Sequence, residues 1–170
     1  MATIAVYPGS FDPITFGHLD IAQRAANIFD EVHVLVVHNP AKSPRFSSEE
    51  RVELVRASLA ELGLESSVKI KVDTLDSGLL VNYCRMVGAK ALVKGFRTSV
   101  DLDYELPMAQ VNRDLAEVET CFIPADPVHG HISSSLVKQV ADLDGQVEKY
   151  VPNVVARALA SSSANRKAKG

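Results

Sequence analysis

The chain has 170 residues, 46% of them hydrophobic and 23% charged, which is the composition of one globular domain with a single core. Its formal net charge of −3 (18 Lys and Arg against 21 Asp and Glu) leaves no global cationic field to hold a nucleic acid. Apolar runs such as residues 34–37 are far too short to span a bilayer. Any anion must therefore be met by a local cluster of cations and backbone amides. Two cysteines, Cys84 and Cys121, with no secretory pattern at the N-terminus, point to a reducing cytoplasmic compartment, and four-thiolate metal clusters are excluded by the count.

In chain order, residues 4–7 read as a first strand, almost continuously apolar, as strands covered on both faces are. Two prolines and two glycines between Pro8 and Gly17 then enforce a tight turn into a helix. The buried face of that helix is expected to be Ile21, Ala25, Ile28 and Phe29. Gly17 lets a phosphate approach the backbone, and the helix N-terminus behind it offers amide donors. His18 falls in the first helical turn. A protonated imidazole opposes the helix dipole there, so its presence suggests a neighbouring anion. A capped surface turn built only for stability would use the same residues.

A second strand over residues 32–37 leads into His38-Asn39-Pro40-Ala41-Lys42-Ser43-Pro44-Arg45, a proline-stiffened loop with two cations. Read alone, Lys42 is equally an ordinary solvated lysine. Ser47 with Glu50 forms a capping-box signature, Val52, Val55, Leu59 and Leu62 share one face, and Gly63 ends the helix. A third strand is expected over residues 68–72, then a helix over 79–87 stopping at Gly88, then a fourth strand over 91–93. Lys94-Gly95-Phe96-Arg97 follows, two cations around a glycine directly after a buried strand. Lysine suits phosphate as a point charge and arginine as a planar fork. The next helix contains Asp101 and Glu105, and Pro107 inside its pattern is expected to delay its start or kink it.

After a fifth strand over residues 120–123, the loop 124–135 closes with Ser133-Ser134-Ser135, which supplies cap hydroxyls and amide donors at a helix start. A generously capped helix accounts for the serines equally well. His129 and His131 lack a nearby third ligand and do not make a zinc site. Two short helices follow, with a break at residues 142–145 and Pro152 near the start of the last; residues 161–170 read as a disordered basic tail. The alternation implies an α/β fold: one doubly wound, Rossmann-like domain over residues 1–160, with a five-stranded parallel sheet and C-terminal helices. In such sheets ligands bind beyond the carboxyl ends of the strands, where these loops lie.

Gly9-Ser10-Phe11-Asp12-Pro13 with Thr15-Phe16-Gly17-His18 resembles the first signature of the nucleotidylyltransferase superfamily, and Ile132-Ser133-Ser134-Ser135 with Lys138 resembles its second. Lys94-Gly95-Phe96-Arg97, the stretch Asp103-Tyr104-Glu105-Leu106 and Asn112-Arg113 resemble the bacterial phosphopantetheine adenylyltransferase family. That resemblance spans about residues 4–159. It implies transfer of AMP from ATP to 4′-phosphopantetheine, giving dephospho-coenzyme A and pyrophosphate. It places phosphopantetheine on Ser10, Lys42, Leu80 and Lys94. ATP is placed on Ser10, Phe11, Gly17, His18, Gly95, Phe96, Arg97 and Glu105, and on the loop His129, Gly130, His131, Ile132, Ser133, Ser134 and Ser135. The chain departs from the family pattern at His129-Gly130-His131, at Pro107 and at Lys94, where many relatives carry arginine.

The catalytic set implied by the resemblance is His18, Lys42, Lys94 and Arg97. A phosphate oxygen is already largely ionised at neutral pH, so no general base is needed, and catalysis reduces to positioning and charge stabilisation. Mg²⁺ is expected to ride on the ATP phosphates rather than on protein side chains. The resemblance further implies a homohexamer and feedback inhibition by coenzyme A, with no nucleic-acid or membrane partner. Two alternatives remain at this stage: an adenylyltransferase for another phosphorylated acceptor such as nicotinamide mononucleotide, and a nucleotide-sensing module without catalysis. A class I aminoacyl-tRNA synthetase would need far more chain.

Overall fold

A computed structural model describes residues 2–39, 43–64 and 69–168. Five parallel strands form one sheet in the order β3-β2-β1-β4-β5: β1 (Ile4–Gly9), β2 (Glu31–Val37), β3 (Ile70–Leu75), β4 (Ala91–Phe96) and β5 (Glu119–Pro124). The order turns around between β1 and β4, which start level with one another through Ala5 opposite Ala91. Each half of the sheet winds outward from that pair, so a crevice opens beyond the carboxyl ends of β1 and β4.

Side chains alternate across the central strands, and each face takes its own cover. Ala5, Tyr7, Val32, Val34, Val36, Ala91 and Val93 face the larger core, closed by α1 (Phe16–Ile28), α2 (Ser48–Glu61), α5 (Ser134–Asp142) and α6 (Asn153–Lys167). Val6, Leu35 and Leu92 face a smaller core closed by Tyr83 and Cys84 of α3 (Leu80–Val87) and by the end of α4 (Ser99–Ala116). Both cysteines are free thiols. Among the described residues, no helix is long and apolar enough to cross a membrane.

The capping signals behave as the sequence suggested. Ser47 and Glu50 exchange side-chain bonds with each other's backbone amides at the start of α2, and Gly88 adopts the left-handed conformation that closes α3. The third strand starts later than expected, at Ile70, and the expected residue Val68 lies outside the described residues. Ile28 and Leu62, assigned to buried faces, are 64% and 43% exposed. Ile28 is the last residue of α1 and Leu62 lies just beyond the end of α2. Pro107 neither delays nor ends α4, which starts at Ser99 and continues to Ala116. A lone proline removes one backbone bond, and the remaining ladder of an 18-residue helix carries the chain through it.

The expected tail is helical as far as Lys167. Ser163 is buried there, its hydroxyl donating to Asp142 Oδ1 at 3.0 Å and accepting from Arg45 Nη1 at 3.3 Å. Arg45 Nη2 reaches Asp142 Oδ2 at 2.6 Å. These tertiary bonds hold α6 in place beyond residue 160. The other end of α6 is capped from a distance, because Pro152 offers no side-chain cap. Glu61 accepts from the amides of Asn153 at 2.8 Å and Val154 at 3.0 Å. These bonds hold its carboxyl below the ordinary glutamate range, so the stabilisation is present above that range and fades as pH falls through it. Glu61→Ala is expected to lose about 1 kcal/mol, as for a missing helix cap, and to lower Tm by roughly 2–4 °C in thermal unfolding at neutral pH.

Candidate active site

The loop after β1 places its groups through local bonds. Thr15 caps α1: its hydroxyl accepts from the His18 amide, and its own amide donates to His18 Nδ1 at 3.1 Å. A backbone N–H can only donate, so Nδ1 is the acceptor and the ring proton resides on Nε2. Phe11 lies edge-on against the imidazole, with centroids 5.2 Å apart, and holds a left-handed backbone (φ 45°), an unusual conformation for a bulky residue. Burial and, secondarily, the Arg97 guanidinium push the His18 pKa down to about 4. His18 is thus a neutral Nε2–H donor at physiological pH. Of the first amides of α1, Phe16 donates to the Tyr150 carbonyl and His18 to Thr15, while Gly17 N–H has no partner among the described residues.

The loop after β4 meets this one across the switch point. Gly95 is required for close approach, since a Cβ would stand 2.9 Å from Ile21 Cγ1 of α1. Arg97 is clamped by Asp101 through Nε at 3.1 Å and Nη2 at 3.2 Å, and its Nη1 donates to the Ile132 carbonyl at 3.3 Å. Lys94 Nζ lies 3.2 Å from Glu105 Oε2. From the third direction, Ser133 caps α5 and Ser134 Oγ donates to the Pro13 carbonyl at 2.7 Å, tying the two signature segments together.

Two cavities of about 500 and about 510 Å³ result, and both are lined by His18, Arg97, Ser133 and Ser134. The first extends past Gly17, Gly95, Phe96, Glu105, His129 and Ile132; the second extends past Ser10, Phe11, Asp12, Arg51, Ser135 and Lys138. Most residues singled out from the sequence therefore converge. Leu80 does not line either cavity; it packs against the smaller core. Lys94 meets the first cavity through Glu105, Gly130 lines neither, and His131 turns its ring against Tyr150. Lys42 lies outside the described residues.

Arg51 escaped the sequence reading. Only 2% exposed, it donates to the carbonyls of Ser10 at 2.7 Å, Val37 at 3.4 Å and Ser47 at 3.3 Å, and to Ser48 Oγ at 3.1 Å. It makes no ion pair within 4 Å among the described residues. The available signal was its register: four residues before Val55 and eight before Leu59, it falls on the buried face of α2. The carboxylates around the crevice are already engaged, Asp12 by Lys138, Asp101 by Arg97 and Glu105 by Lys94. No cluster of three or more metal-ligating side chains occurs among the described residues.

The arrangement can seat two anionic ligands in adjoining cavities, with a neutral imidazole donor, a clamped guanidinium and helix-terminal amides where they meet. A family model described as cytidylyltransferase-like matches residues 6–140. The phosphopantetheine adenylyltransferase of Clavibacter michiganensis is 56% identical over 94% of this chain and 97% of its own. That of Leifsonia xyli is 54% identical over 95% of this chain and all of its own. Among solved structures, the nicotinic acid mononucleotide adenylyltransferase of Plasmodium falciparum superposes with a TM-score of 0.71 over 95% of this chain and 96% of its own. At 16% identity that likeness speaks for the fold alone.

Proposed function

The chain belongs to the phosphopantetheine adenylyltransferase family, and we infer that it transfers AMP from ATP to 4′-phosphopantetheine, releasing pyrophosphate and dephospho-coenzyme A. The observation that carries the site assignment is the pair of cavities meeting at His18, Arg97, Ser133 and Ser134. The nucleotide occupies the cavity lined by Gly95, Phe96, Glu105 and His129, and the acceptor phosphate enters the one lined by Ser10. At the junction, His18 Nε2–H and the Gly17 amide donate to oxygens of the α-phosphate that gain charge during in-line attack. Arg97, already oriented by Asp101, and the amides at the start of α5 receive the departing pyrophosphate. Lys42 and Lys94 neutralise the approach of one anion to the other, with Lys94 exchanging Glu105 for phosphate. Leu80, Gly130 and His131 stand in this reading on the family resemblance alone.

The residues suit a divalent ion that arrives on the nucleotide, because the carboxylates facing the crevice are each matched to a cation. Mg²⁺ so bound would supply charge neutralisation on the phosphate chain. The hexamer belongs to the same proposal. It is supported by α4, where Asn112 is the one buried residue while Met108, Val111 and Leu115 are exposed and line neither cavity. Cytoplasmic residence and feedback by coenzyme A rest on the family reading.

The test is pyrophosphate release from Mg-ATP with phosphopantetheine, with nicotinamide mononucleotide, and with neither. Release that depends on phosphopantetheine alone is expected. Release with the mononucleotide instead would replace the acceptor, and ATP binding with no release would favour a sensing module. Lys94→Ala is expected to lower kcat/KM for phosphopantetheine by at least ~10-fold, about 1.4 kcal/mol of transition-state stabilisation. Unchanged kinetics would make Lys94 a solvated partner of Glu105.

A further inference from the structure

On the face of the sheet covered by α3, the outer strands carry a polar chain beside the smaller core. His33 of β2 is 7% exposed and stands in register between Val6 of β1 and Lys71 of β3. Its Nδ1 lies 2.8 Å from the Tyr83 hydroxyl of α3, and its Nε2 lies 2.5 Å from Glu31 Oε1, which also accepts from Lys71 Nζ at 2.7 Å. Tyr83, itself buried, donates to Asp73 Oδ2 at 3.0 Å. Lys71, Glu31, His33, Tyr83 and Asp73 thereby link β2, β3 and α3, and none of them lines either cavity.

These contacts fix where the protons are. Asp73 is exposed and its other oxygen accepts from the Thr74 amide at 2.8 Å, so it takes the phenol proton as an acceptor. Burial first, and then Asp73, hold the Tyr83 phenol above its ordinary range, so it keeps that proton. A phenol has one proton to give, and toward His33 it can therefore only accept. Glu31 is held below the ordinary glutamate range by Lys71 first and then by His33; as a carboxylate it too can only accept. Both ring nitrogens of His33 must donate. A neutral imidazole has one N–H and would set lone pair against lone pair at one of the two contacts.

We propose that His33 is a buried imidazolium and a pH-sensitive latch, tying β2 and β3 to α3 while it is charged and loosening that tie when its proton leaves to solvent. The groups facing it are Glu31 from its own strand, Lys71 and Asp73 from β3, and Tyr83 with Cys84 from α3, while β1 presents Ile4 and Val6. With His33 charged, Lys71 and His33 balance Glu31 and Asp73, which is the condition for burying a charge. Loss of the proton leaves a net negative charge and an unmatched lone pair under α3. An imidazole in the unfolded chain gives up its proton near pH 6.5, so the latch contributes fully below that pH and its contribution is lost as pH rises. That sign is opposite to the one His18 carries.

The experiment follows the thermal midpoint of the whole protein, His33→Gln and Tyr83→Phe at pH 6 and pH 9, with NMR of the wild type carrying ¹³C-labelled histidine. Subtracting each variant from wild type at the same pH cancels the titration of every group the two share. The gap for His33→Gln is expected to be at least ~4 °C at pH 6 and to shrink by at least half at pH 9. Tyr83→Phe keeps the ring against His33 but removes the hydroxyl, and its gap should narrow in the same direction. In the wild type at pH 7.5 the His33 ring, assigned by its absence from His33→Gln and its shift in Tyr83→Phe, should give the signal of a doubly protonated imidazole. A neutral-ring signal at that pH, a gap that stays constant or widens with pH, or a gap below ~1 °C at pH 6 would each overturn the proposal. If His33→Gln does not fold, Tyr83→Phe and the wild-type spectrum decide.

Discussion

Replacing His18 with alanine is expected to lower kcat by at least ~100-fold, the range for removing a preorganised donor to developing charge. The geometry gives this residue a defined task. Thr15 N–H occupies Nδ1, so the imidazole can present only its Nε2–H to the junction of the two cavities. Phe11 on the ring face and the bonds to Thr15 leave it little freedom to turn away. Because its pKa is held near 4, the free enzyme should show no activity change from His18 titration between pH 6 and 9. The rise of rate with pH near 6 should follow the second ionisation of the acceptor phosphate, whose pKa is about 6. For stability the sign is the reverse of a salt-bridged histidine. A depressed folded-state pKa contributes stability that is complete above the unfolded value of 6.5 and is lost as pH falls towards 4. His18→Ala should therefore flatten the stability profile between those pH values. A folded variant turning over within ~3-fold of wild type would remove His18 from the mechanism.

Arg51→Ala should give the largest loss of stability, about 3 kcal/mol, from charged hydrogen bonds and packing removed together. In a chain of this size that corresponds to a fall in Tm of roughly 6–12 °C. The Ser10 and Val37 carbonyls would lose a buried donor, and these mark the start of the loop after β1 and the end of β2. The acceptor KM should rise with the loss of stability, since Ser10 lines that cavity. Arg51→Lys should recover less than half of the lost stability, because one ammonium cannot span the carbonyls that a planar guanidinium reaches. A midpoint within 2 °C of wild type for Arg51→Ala would show that these bonds are replaced by water.

The strand and helix order, the caps at Ser47 and Gly88, and the convergence of the β1, β4 and β5 loops were legible in the sequence. Each depends on short-range periodicity or on the rule that a parallel sheet binds ligands at its carboxyl edge. The family motifs located His18, Arg97 and Ser133–Ser135 by their spacing. Other features were decided only by contacts far apart in the chain. The helical end of α6 is secured by Arg45 and Asp142, 118 and 21 residues from Ser163, so the local composition of residues 161–167 could not disclose it. Ile28 and Leu62 carry the right periodicity, but they fall at the ends of their helices and stay in solvent. Pro107 reads locally as a late start or a kink, yet α4 begins at Ser99 and runs through it to Ala116, a helix long enough to spare one bond. The tautomer of His18 needs the Thr15 amide in place, and its lowered pKa needs both burial and Arg97 across the switch point. Periodicity and motif spacing are properties of neighbouring residues and are written in the sequence. Exposure, protonation and the partners of Asp12 and Arg51 depend on what the folded chain brings against each group, and only the tertiary structure determines them.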